Sequence, residues 1–250
     1  MKYQVDSVQW QDADDGAKHA TREFIFSTEQ GRLCTGAIWH PLENASSALI
    51  AFGHGASGDR YQAPIPYLAG KFVREGHTVL SIDGPVHGLR QVGPGGREAF
   101  GEEMRRETMI DDMNADWRFA IDLAKSETTT ELTEIAYFGL SMGSIFGIPM
   151  LADPTRGLPV TVATLGLLGS QGVGRRLGSR VVNDAEKILC PLLFLMQLED
   201  ELFSRDGYLE LFDAFGSNDK RIHANPGLHP EVPTAEMRFA FEFMRSRLGS

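Results

Sequence analysis

The chain has 250 residues, 42% of them hydrophobic and 23% charged, a mixed composition that supports one sizeable core and excludes collagenous, disordered and low-complexity classes. A formal net charge of -10 and a pI near 5.2 give a surface that repels phosphate backbones and anionic lipid, so neither nucleic acid nor a membrane is expected as a partner. The two cysteines, Cys34 and Cys190, lie in separate apolar stretches and read as small buried hydrophobes, not as a disulfide framework.

Met1 to Ala20 carries Asp6, Asp12, Asp14 and Asp15 and has neither the basic start nor the apolar run of a secretory leader. The longest apolar stretches, such as Val160 to Gly169, reach about half of the roughly 18 to 20 residues that a membrane-spanning helix needs. A cytoplasmic location is expected. Arg22 to Thr28 and Arg32 to Trp39 then alternate apolar and polar residues about Glu29-Gln30-Gly31, which predicts a hairpin. Beyond it, short apolar runs at Ala48 to Phe52, Thr78 to Ile82, Glu134 to Gly139, Val160 to Leu168 and Leu192 to Met196 predict buried parallel strands. Lys220 to Ala224 reads as a short final strand.

Between the strands, Ile110, Met113, Trp117, Ala120, Ile121 and Ala124 share one helical face, as do Tyr208, Leu211, Phe212 and Phe215. Met237, Ala240, Phe241, Met244 and Leu248 do the same near the end, and Met142 to Leu151 suits a helix as well. This alternation predicts an α/β fold: a mainly parallel sheet of about eight strands with helices on both faces, in one domain spanning residues 1–250. Gly84 to Arg106 and Ser170 to Asn183 are expected to be irregular segments bordering the active site. Neither is long enough for a cap domain, which favours short to medium substrates.

The sharpest chemical signal is Gly139-Leu140-Ser141-Met142-Gly143, a G-x-S-x-G set between a strand and a helix, the context that confirms such a motif. A serine at that turn projects its hydroxyl above the sheet, and glycines are needed beside it because side chains there would collide. A serine hydroxyl is a weak nucleophile, so it needs a base, and the base needs a third group to fix its tautomer. Downstream, Asp200 follows a strand, and His229 sits in a loop with Pro226, Gly227, Pro230 and Pro233, residues that hold a fixed shape. His223, the competing base, falls within the final strand. Glu199 and Glu201 flank Asp200, but position relative to the strand end favours Asp200, and a solvated acidic turn accounts for both glutamates.

An oxyanion hole combines the N–H after the nucleophile, here that of Met142, with one from a loop after an earlier strand. Gly53-His54-Gly55-Ala56-Ser57-Gly58 supplies that loop, with Ala56 the candidate donor and Gly55 the fallback. Phosphate binding is not supported, since the spacing fits neither phosphate-loop pattern.

Taken together, Phe52-Gly53-His54-Gly55-Ala56, Asp83-Gly84-Pro85-Val86-His87-Gly88, the Ser141 pentapeptide, Leu198-Glu199-Asp200-Glu201-Leu202 and Gly227-Leu228-His229-Pro230 resemble the α/β-hydrolase superfamily from about Arg22 onward. Within it, the chain is similar to small bacterial serine esterases related to dienelactone hydrolases, with serine where the namesake enzymes carry cysteine. The resemblance implies an esterase that needs no cofactor and takes a small-molecule ester or thioester. It also covers thioesterases and lactonases using the same triad, and a non-catalytic small-molecule receptor is the alternative outside enzymology. His54, Asp83 and His87 are then expected to shape loops, not to bind metal. Arg90, Arg97, Arg105 and Arg106, the group Arg175, Arg176 and Arg180, and the acids Asp111, Asp112 and Asp116 all read as solvated surface charges.

Overall fold

Eight-residue stretches with alternating faces pair as antiparallel strands, and the apolar runs that follow stack beside them in parallel. The computed structural model describes residues 8–13, 20–28, 31–43 and 45–249. In it β1 (Gln9–Asp12), β2 (Ala20–Ser27), β3 (Leu33–His40), β4 (Ala48–Gly53), β5 (Thr78–Ile82), β6 (Glu134–Leu140), β7 (Val160–Gly166), β8 (Leu192–Gln197) and β9 (Lys220–Asn225) form one sheet in the order β1-β2-β3-β5-β4-β6-β7-β8-β9. The β1–β2, β2–β3 and β3–β5 pairings are antiparallel, and the remaining five are parallel. The predicted hairpin is thus present as β2 and β3, while Glu29 and Gln30 of its turn lie outside the described residues.

Side chains leave alternate faces of the strands. Ile50, Phe52, Ala136 and Phe138 meet α1 (Ile65–Arg74) and α7 (Thr234–Arg245) on one side. Leu49, Ile135, Tyr137 and Phe194 meet α3 (Met109–Ser126), α4 (Met142–Ala152), α5 (Arg175–Ala185) and α6 (Arg205–Ala214) on the other. Burying an apolar side chain of this size stabilises by about 1.5 to 3 kcal/mol, which is why the fully covered central strands are apolar on both faces. No helix of the described residues is long and apolar enough to cross a membrane.

Several expectations need correction. The sheet has a ninth strand, β1, inside the stretch read as a polar start; it is an edge strand, held by backbone pairing to β2 with little burial of its own. Residues 84–106 are not wholly irregular: they contain a 3-10 turn (Gly88–Arg90) and α2 (Gly96–Glu103). Residues 170–183 likewise run into α5, whose buried Leu177, Val181 and Ala185 recur every four residues beneath a charged exterior. Arg90 and Asp116 are not solvated charges either. Both are buried and lie 3.0 Å apart, with Arg32 on the second carboxylate oxygen of Asp116 and Arg90 also donating to the Asp83 carbonyl at 3.0 Å. Two guanidiniums on one carboxylate offset part of its loss of water, while burial still pushes this carboxyl above its ordinary range.

Candidate active site

Ser141, Asp200 and His229 follow β6, β8 and β9, so three distant segments meet at the carboxyl ends of parallel strands, with β7 between the first and second of them. Ser141 takes φ 56° and ψ -118°, a conformation that costs a non-glycine residue about 1 to 3 kcal/mol. The turn is held there by Ser141 N–H donating to the Gly166 carbonyl at 2.9 Å. Ser144 adds to this: its buried hydroxyl lies 2.7 Å from the carbonyls of both Gly139 and Gly166 and accepts the Gly166 N–H at 2.9 Å. The motif glycines have no room for a side chain, since a Cβ on Gly139 would lie 2.8 Å from the Gly143 carbonyl and one on Gly143 only 2.3 Å from the Gly53 oxygen.

His229 Nε2 lies 2.9 Å from Ser141 Oγ, and its Nδ1 lies 2.7 Å from Asp200 Oδ2. The carboxylate accepts at Nδ1, so the ring proton belongs there and Nε2 is left to accept from the serine hydroxyl. The Asp200 side chain is 1% exposed. Its Oδ1 accepts the N–H groups of Leu202 at 2.7 Å and Phe203 at 3.0 Å, and its Oδ2 also accepts the Tyr208 hydroxyl. Burial alone would push this carboxyl up, but hydrogen bonds from Tyr208, His229 and the two backbone N–H groups together hold it below the ordinary carboxylate range.

The histidine loop is held from β8 and the turn after it. Gln197 Nε2 donates to the carbonyls of Pro226 and Leu228, both at 3.3 Å. Glu199 accepts the Gly227 N–H, and Glu201 accepts the His229 N–H at 2.9 Å. The two glutamates are therefore more than a solvated turn: each fills a backbone donor of the loop. His223 is engaged elsewhere, with Nδ1 at 2.9 Å from Glu236.

After β4, the loop from Gly53 onward is clamped by three side chains. Buried His54 accepts the Gly84 N–H at Nε2 (2.8 Å) and so donates from Nδ1 to the Gly55 carbonyl (2.8 Å). Burial pushes its pKa down to about 4, which keeps it neutral. Gln62 accepts the Gly55 N–H at 2.6 Å and donates to Ser57 at 2.7 Å, and His87 Nε2 lies 3.0 Å from the Ala56 carbonyl. With the Gly55 N–H taken, Ala56 and Met142 keep N–H groups that meet no acceptor among the described residues. Asp83 instead anchors Arg60 at 2.9 Å and Thr35 at 2.6 Å.

Ser141 and His229 open onto a cavity of about 850 Å³, largely apolar, walled by Ile65, Tyr67, Phe100, Leu140, Val232 and Met237. It reaches between the first turns of α1 and α7, with α2 contributing Phe100. Ser170, Gln171 and Gly172 line a different, polar hollow of about 450 Å³ beside Glu210. Gln62, Gln197 and Tyr208 were not singled out by the sequence. Only Tyr208 carried a signal there, as a phenol on an otherwise apolar helical face that needs an acceptor when buried.

No family model matches the chain, and no curated protein sequence matches it. Among solved structures it is similar to a cold-adapted esterase from an Arctic intertidal metagenomic library, whose polyethylene-glycol-bound form shares 32% identity over 96% of this chain and 100% of that one, with a TM-score of 0.83. An acetyl xylan esterase from Paenibacillus sp. shares the fold at 17% identity, covering 96% of this chain and 89% of that one with a TM-score of 0.73. A Pyrococcus furiosus esterase does so at 17% identity, with 100% and 98% covered and a TM-score of 0.66. At 32% identity over the whole of the Arctic enzyme, on a nine-stranded, mostly parallel sheet, the chain belongs to the α/β-hydrolase esterase family.

Proposed function

We propose that the chain is a serine carboxylesterase in which Ser141 is the nucleophile, His229 the general base, Asp200 its orienting acid, and the N–H groups of Ala56 and Met142 the oxyanion hole. The observation that carries this reading is the continuous line of hydrogen bonds from Ser141 Oγ through His229 to Asp200, at 2.9 and 2.7 Å. Ser141 Oγ attacks the ester carbonyl as its proton passes to His229 Nε2, and the two N–H groups take the negative charge of the tetrahedral oxygen. The ester C–O bond then breaks as His229 returns the proton to the departing alcohol. Water, deprotonated by the same imidazole, releases the acid from Ser141. Esters are favoured over thioesters and lactones because the Arctic relative is named an esterase. Short to medium acyl groups suit a cavity of about 850 Å³ whose mouth carries one short helix, α2. One continuous sheet carries every one of these groups, which supports a single domain.

Covalent labelling by a fluorophosphonate tests the assembly, because an isolated serine does not react readily. The label is expected at Ser141, absent in Ser141→Ala and slowed at least about a hundredfold in His229→Ala. A folded protein with no mass shift at Ser141 between about pH 6 and 9 would leave a binding protein in place of the esterase.

A further inference from the structure

We infer that Tyr208 is a positioning residue that sets how tightly Asp200 holds His229, an inference that rests on the esterase reading above. Tyr208 lies on α6, is completely buried, and packs edge-on against Phe194 and Phe203 at 6.1 and 6.2 Å between ring centroids. In such surroundings a hydroxyl needs an acceptor, and it finds Asp200 Oδ2, the oxygen that also meets His229 Nδ1. Burial, with the carboxylate beside it, pushes the phenol well above its ordinary range, so it remains a donor at every working pH.

Two consequences follow from that shared oxygen. With Leu202 and Phe203 N–H groups on Oδ1, the phenol fixes the carboxylate plane, so that an Oδ2 lone pair faces the imidazole. It also draws on the same negative charge that stabilises the imidazolium, which weakens the hold of Asp200 on the protonated base. The other charged groups around the loop act on its backbone: Glu201 on the His229 N–H, Glu199 on the Gly227 N–H and Glu231 on the Leu228 N–H. Arg205 bonds the Leu198 carbonyl. None of these meets Oδ2, so Tyr208 is the group whose removal changes the charge seen by the ring while the loop contacts stay in place.

Tyr208→Phe keeps the ring and deletes the donor. Hydrolysis of p-nitrophenyl butyrate by this variant is expected to lose about tenfold in kcat with KM changed by less than about twofold. The acid limb of kcat/KM is expected to move to higher pH by about half a unit, because the imidazolium is then held more strongly. Replacing Tyr208 alone by 3-fluorotyrosine, a stronger donor of nearly the same shape, is expected to move that limb the other way, and it serves should the phenylalanine variant fold poorly. In the Asp200→Asn background the additional loss from Tyr208→Phe is expected to fall below about twofold. Profiles that superimpose for all three side chains, or an equal loss in both backgrounds, would overturn the role of Tyr208 while leaving the esterase intact. Ester turnover that survives Ser141→Ala would instead overturn the Ser141 mechanism on which this inference rests.

Discussion

At the scale of single residues, the site depends on side chains that spend their polar atoms on the backbone. Gln62 is the clearest case, because it occupies the Gly55 N–H and Ser57 and so leaves free the neighbouring Ala56 N–H, the proposed oxyanion donor. Losing one oxyanion donor costs about 3 kcal/mol in comparable enzymes. Gln62→Leu is therefore expected to lower kcat by about ten- to a hundredfold and to slow phosphonylation of Ser141 by a similar factor, with Ser57→Ala close to wild type; steady-state kinetics beside timed labelling would check both. The choice of Asp200 among three consecutive acids rested on its position relative to the strand end, and of the three it is the one whose carboxylate meets His229 Nδ1. The work of Glu199 and Glu201 was not. It depends on residues 227–229 arriving beside them, a tertiary fact with no local pattern.

Among the elements, α4 is the one whose seating positions Ser141. It is buried along nearly all its length, and it approaches β4 so closely that only glycine fits at 143, where Tyr137 also donates to the carbonyl at 2.7 Å. The obstructing atom is the Gly53 backbone oxygen, which cannot swing aside. Gly143→Ala is expected to lower stability by about 2 to 3 kcal/mol, the usual penalty for overpacking, and to abolish labelling; a chemical denaturation series would measure the first. The buried strands and α3, α4, α6 and α7 could be read from apolar runs and faces. The first turn of α1 carries two prolines' worth of turn signal, Pro64 and Pro66, and α5 hides three apolar residues among Arg175, Arg176, Gly178 and Arg180. The edge strand β1 turns only Trp10, with Val8 just before it, toward the core, too short an alternation to announce a strand.

For the molecule as a whole, the histidines set the response to acid. Burial lowers the pKa values of His40, His54 and His77, that of His54 to about 4. The unfolded chain therefore takes up protons first as pH falls below about 6.5. Folded stability is lost from there downward, by about 1 kcal/mol per pH unit for His54 until the pH passes its folded value. Asp200, whose carboxyl is held down in the fold, adds its loss only at lower pH, so a fall between about pH 6.5 and 5 reports histidine. Urea midpoints at pH 7, 6 and 5 are expected to decline stepwise, and a flat series would contradict a neutral, buried His54. The grip of 197–201 on 225–229 has a further meaning for anyone who would transplant this chemistry. Gln197, Glu199, Asp200 and Glu201 each answer a different atom of the histidine loop, so the two segments form one portable cassette. Grafting the loop alone into a foreign scaffold would strand the N–H groups of Gly227 and His229 and leave the imidazole free to choose the wrong tautomer.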